Sequence, residues 1–163
     1  LVDRGVPLVA IPKTMDNDTQ GTEYCSGFST AITRAKELID RQRTTLGSHE
    51  RIGVFRIFGR DAGFSALHAA YVTSGRCLIP ESPFDLDRFV RLMVEDKQQN
   101  PSRYAFVIAA EGATWKGGAL PDYGPTAAYG HRHKPNIPAA PLHPIRHRAV
   151  DKAPPHAPTQ RMT

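Results

Sequence analysis

Four short apolar runs alternate along this chain with three stretches whose apolar residues recur at helical spacing. The runs are residues 7–11, 52–58, 77–80 and 104–110, each too short for a typical helix. Between the first two, Phe28, Ala31, Ile32, Ala35, Leu38 and Ile39 fall on one face of a helix predicted over 24–44 and ended before Gly47. Residues 64–73 read as a second helix, stopped by Gly75. Asp85 is placed to cap a third, in which Leu86, Phe89, Val90, Met93 and Val94 form an apolar stripe that Asn100-Pro101 ends. The order is β-α-β-α-β-α-β. Such alternation implies right-handed crossovers and a parallel sheet with flanking helices, an α/β fold.

Each predicted strand delivers polar groups at its C-terminal end: Asp16 and Asp18, then Arg60, then Glu81, then Glu111. A parallel sheet places all these ends on one edge, where α/β folds bind ligands. The first group is the densest. Pro12-Lys13-Thr14-Met15-Asp16-Asn17-Asp18 packs an ammonium, a hydroxyl, an amide and two carboxylates just past the first run. One aspartate can take a proton while the other helps to hold a metal ion, and Lys13 can meet a phosphate. A plain polar turn is the competing reading, since Asp and Asn are common turn formers. A calcium loop fits less well, because Gly27 stands where its bidentate glutamate belongs.

Charge and cysteine content narrow the function classes. Through residue 130 the chain holds 15 Lys/Arg and 15 Asp/Glu, so the whole net charge of +5 lies in 131–163. That segment also carries seven of the 14 prolines and five of the seven histidines and has no hydrophobic period. It is expected to be a disordered basic tail. A nucleic-acid role finds no cationic face in residues 1–130. No apolar run is long enough to span a bilayer. Cys25 and Cys77 form no metal-spaced pair and read as buried thiols in a reducing, cytoplasmic setting. The tail histidines share no ligand spacing. No G-x-G-x-x-G or Walker A motif is present, and Gly117-Gly118 is isolated.

The ordered set Pro12–Asp18, Gly21-Thr22, Gly27-Phe28, His49-Glu50-Arg51, Phe58-Gly59-Arg60-Asp61-Ala62-Gly63, Pro80-Glu81 and Glu111-Gly112 resembles the 6-phosphofructokinases over about residues 1–137. The resemblance implies part of a fold of two similar α/β domains with the active site between them. It implies Mg²⁺-dependent transfer of a phosphoryl group from pyrophosphate or ATP to the 1-hydroxyl of fructose 6-phosphate. Asp16 matches the base that takes the hydroxyl proton. Thr14 and Asp18 match residues that position this hydroxyl and the metal-bound phosphate. Arg51 matches an arginine that grips the 6-phosphate, in many members from a neighbouring subunit of a dimer or tetramer. Phe58, Gly59 and Arg60 match a Met-Gly-Arg motif near the sugar and donor phosphates. Glu111 matches a carboxylate that accepts hydrogen bonds from sugar hydroxyls. Glu81 matches an effector-site position of some bacterial members, and its regulation is not carried over. Lys13, set on the donor side, leans the donor towards pyrophosphate, because the common bacterial ATP enzymes have glycine there.

Residues 1–27 are expected to be the end of a first, donor-side domain and 28–130 a second, sugar-phosphate-side domain. The chain opens on Leu and lacks the family's glycine-rich donor loops, so a fragment with little or no activity alone is expected. The alternatives are a non-catalytic sugar-phosphate-binding module and a truncated product without function. Family-like sequence fades near Asn136-Ile137, and 138–163 is expected to be an out-of-frame translation.

Overall fold

A computed structural model describes residues 2–116 of the 163. The predicted tail and the Gly117-Gly118 pair lie outside them. After a short 3₁₀ turn at Val2–Arg4, the elements are α1 (Phe28–Ser48), β1 (Ile52–Ile57), α2 (Phe64–Thr73), β2 (Arg76–Leu78), α3 (Leu86–Gln99) and β3 (Ala105–Ala110). The three strands form one parallel sheet in the order β1-β3-β2. Ile52 pairs with Ala105 and Ile57 with Ala110 on one side of β3, while Arg76 to Leu78 pair with Val107 to Ala109 on the other.

The central strand explains the layering. All six residues of β3 are buried, as expected of a parallel strand covered on both faces. Side chains alternate across a strand. Phe106, Ile108 and Ala110 therefore pack with Ile39 of α1 and Ala66, Ala69 and Ala70 of α2. Ala105, Val107 and Ala109 pack on the opposite face with Leu78, Phe89 and Met93. Two helices cover one face and α3 covers the other.

The helix ends show where local chemistry acted as expected and where it did not. Asp85 caps α3, its carboxylate accepting from Arg88 N–H at 2.7 Å. Helix α1 begins at Phe28, four residues later than predicted, because Gly27 at φ 100° breaks the helical backbone before it. It runs through Gly47, the predicted stop, and ends at Ser48. Glu50 takes the left-handed position at φ 48° instead. Arg51 N–H then reaches Leu46 O at 2.9 Å and Glu50 N–H reaches Gly47 O at 3.1 Å, closing the helix in a Schellman motif.

The predicted first strand is not part of this sheet. Residues 7–11 form no ladder, and Val9 and Ile11 are 87% and 78% exposed. Pairing resumes only in an isolated bridge between Lys13 and Ser26, where Ser26 N–H meets Pro12 O at 3.0 Å. An apolar run of this kind becomes a buried strand only with neighbours on its edges and faces, and the described residues offer it none. Cys25 is buried as predicted, whereas Cys77 is only half-buried. No described helix is long and apolar enough to cross a membrane.

Candidate active site

At the C-terminal ends of β1 and β3 a cleft of about 280 Å³ is lined by Thr14, Met15, Asp16, Asp18, Phe58, Arg60, Asp61 and Glu111. Residues more than 90 positions apart in sequence meet there. The β1–β3 pairing continues past the strands: Glu111 N–H donates to Ile57 O and Gly112 N–H to Gly59 O, each at 2.9 Å. This extension carries Arg60 and Glu111 to the same wall. It also demands glycine, because a Cβ at Gly112 would lie 1.8 Å from the Arg60 carbonyl oxygen.

Glu111 is one-tenth exposed and sits between two guanidinium groups, 3.5 Å from Arg56 Nη2 and 3.8 Å from Arg60 Nε. Opposite it, the Asp motif is shaped by its own short side chains. Asp16 N–H donates to Thr14 Oγ1 at 3.1 Å. Asn17, at φ 56°, uses both ends of its amide: Nδ2 donates to Glu23 O and Oδ1 accepts from Cys25 N–H at 2.8 Å. Asn17 is thus the staple of the loop, which leaves the two aspartates on the cleft.

Asp16 is the electrostatically unusual member. Its Oδ1 is buried without a hydrogen-bond partner. Burial raises its pKa above the ordinary 3.8, Asp18 and Glu111 raise it further, and Arg60 pulls it back. A carboxylate oxygen with no donor of its own is free to accept a proton from a bound hydroxyl.

Thr14, Asp16, Asp18, Phe58, Arg60 and Glu111 therefore come together, while Gly59 is buried in the connecting turn at φ 141°. Two candidates do not join them. Lys13 is exposed and not among the lining residues. Arg51 precedes β1, at the opposite edge of the sheet, about 20 Å away by strand rise. Glu81 lies outside the lining and accepts from Gly63 N–H at 2.7 Å. Met15 and Asp61 line the cleft without having been singled out. The signal for Asp61 was its place beside Arg60 in the same loop.

Burial pushes the Cys77 thiol up to about 11, so it is no nucleophile near neutrality. Among the described residues no group of three or more His, Cys, Asp or Glu side chains converges into a metal cage. The hard carboxylate oxygens of the cleft nevertheless suit Mg²⁺, which is commonly held by one or two carboxylates together with substrate phosphates and water. Asp18, exposed on the cleft, could stand beside such an ion and the phosphate bound to it.

Comparison with known proteins bears on this cleft. A family model described as Phosphofructokinase matches residues 1–138. The chain is 41% identical over 133 residues to ATP-dependent 6-phosphofructokinase 3 of Streptomyces coelicolor, covering 80% of this chain and 39% of the relative. It is also 41% identical over 134 residues to the pyrophosphate–fructose 6-phosphate 1-phosphotransferase of Amycolatopsis methanolica, covering 80% and 38%. The equal identities remove the lean towards pyrophosphate that Lys13 had given. The structure of a pyrophosphate-dependent phosphofructokinase from Nitrosospira multiformis superposes with a TM-score of 0.61 at 25% identity, over 72% of this chain and 32% of that one. The chain thus spans about two fifths of the length of these two sequence relatives. With an α/β sheet of matching shape and a family match over residues 1–138, the chain belongs to the phosphofructokinase family.

Proposed function

We propose that, within a longer protein, this chain supplies the acceptor side of a phosphoryl transfer to the 1-hydroxyl of fructose 6-phosphate. The observation that carries this reading is the cleft itself, in which a buried, unpartnered carboxylate oxygen of Asp16 faces the wall of Arg60 and Glu111. In this reading Asp16 takes the hydroxyl proton, and the freed oxygen attacks the terminal phosphorus of the donor. The remainder of the donor leaves as ADP or phosphate. Thr14 orients the hydroxyl, Glu111 accepts from sugar hydroxyls, and Arg60 offsets negative charge as the phosphoryl group passes. Mg²⁺ held beside Asp18 would neutralise the donor phosphates. Residues 1–27 then belong to the donor-side domain and 28–130 to the sugar side. Arg51, at the far edge of β1, suits service to the site of a neighbouring subunit.

The test is a chimera in which this chain replaces the aligned segment of the Streptomyces coelicolor relative. The chimera is expected to phosphorylate fructose 6-phosphate. Asp16→Asn should lower its kcat by about 10²–10⁴-fold with little change in KM, the scale of a lost general base. A folded chimera that transfers nothing refutes the proposal, and equal turnover by Asp16→Asn removes the base.

A further inference from the structure

Most hydrogen bonds around the Asp motif close on its own neighbourhood. Asp16 N–H meets Thr14, Asn17 meets Glu23 and Cys25, and Ser26 meets Pro12. These bonds hold the motif's shape, but they do not tie it to the sheet that carries Arg60 and Glu111. Ser65, on the first turn of α2, makes that connection. Its hydroxyl donates to the Met15 carbonyl at 2.7 Å, across 50 positions of sequence. Ser65 is fully buried, and Met15 lines the cleft.

The bond departs from what helical hydroxyls usually do. Thr33 and Thr73 bond back to the carbonyls four residues earlier, Ser29 at 2.9 Å and Ala69 at 2.6 Å. Ser65 sits so near the start of α2 that the residue four before it, Asp61, lies in the preceding loop. Its hydroxyl turns outward to another segment instead. The turn that carries it is itself fixed. Gly63 N–H donates to Glu81 Oε1 at 2.7 Å, and a Cβ at Gly63 would lie 2.5 Å from Ile79. The first turn of α2 is therefore anchored just beyond β2 on one side and grips the Asp motif on the other.

We propose that Ser65 is a positioning residue of this site. Through the Met15 carbonyl it sets the depth of Asp16 against Arg60 and Glu111, and the functional part of this statement rests on the reading of the cleft given above. The buried Ser65 hydroxyl is the donor that this carbonyl meets. An alanine leaves it bare, and a cysteine fills the space with a far weaker donor.

The experiment uses the 163-residue chain labelled with ¹³C at the methionine carbonyls and uniformly with ¹⁵N. Met93, fully buried in α3, serves as the internal reference for Met15. Ser65→Ala and Ser65→Cys are expected to move the Met15 carbonyl resonance and leave that of Met93 in place. Amide exchange at residues 15–18 should quicken about tenfold, the equivalent of one net hydrogen bond, with α2 and β3 unchanged. The cysteine variant keeps the volume and guards against collapse of the alanine one. An unmoved Met15 resonance with unchanged exchange overturns the proposal, as does equal loosening of Met93 and β3. No ligand enters the readout, so it stands or falls separately from fructose 6-phosphate binding.

Discussion

Asp16 concentrates the tension between stability and chemistry in this fold. Its carboxyl is held above its ordinary range chiefly by burial and next by Asp18 and Glu111, with Arg60 opposing. A folded-state pKa that is raised means that the folded chain binds this proton more tightly than the unfolded chain does. Ionisation of Asp16 therefore opposes folding. The penalty is absent below the ordinary value of 3.8, grows through the raised one, and is complete above it. Asp16→Asn should accordingly melt at a higher temperature than the parent at pH 7, with the advantage shrinking as the pH approaches 4. Thermal melts of both chains across that range check this, and coincident midpoints at pH 7 would contradict it. The same scale shows what single residues told in advance. The meeting of Arg60 and Glu111 was readable because each follows a run that forms a strand, whereas Asp16 and Asp18 reach the same cleft although residues 7–11 form none. Lys13 was over-read from its company, since a side chain next to a site in sequence need not face it. Ser65 left no trace, because a serine inside an Ala-rich stretch looks like filler until its distant carbonyl is known.

Among the elements, β3 and the ends of α3 offer the sharpest contrast in energetic weight. Ile108 is fully buried between α2 and the sheet, so Ile108→Ala should cost about 3 kcal/mol through lost burial and the cavity left behind. Asp85 makes one exposed capping bond to Arg88 N–H, so Asp85→Ala should cost about 1 kcal/mol. Urea unfolding of the two variants tests the ranking, and a larger loss for Asp85→Ala would show that the cap, not the core, governs this unit. The elements were largely legible: three of the four expected strands and all three helices are present. The misses have distinct causes. Residues 7–11 carry the pattern of a buried strand, but pattern reports only what a segment can bury, and its neighbours decide whether it does. The end of α1 was misplaced because Glu50, an improbable residue for left-handed backbone, took the role that Gly47 advertised.

Across the described residues, order should rise from the N-terminal arm to β3. The exposed arm of residues 6–11 is held by little beyond the Lys13–Ser26 bridge that follows it, whereas 105–110 is buried throughout. Hydrogen exchange should therefore be fast in the arm and slowest in β3; equal protection in the two would mean that the arm finds a partner. The central strand has a wider consequence. Both hydrophobic layers hang on alternate side chains of the same six residues. Neither layer can melt while its neighbour stays intact, so a blow to one face is felt on the other. A one-residue slip of the whole of β3 would exchange the two faces, presenting Phe106 and Ile108 to α3 and Ala105, Val107 and Ala109 to α1 and α2. This short ribbon is thus the molecule's point of least tolerance, and harmless length variation belongs in the turns around it.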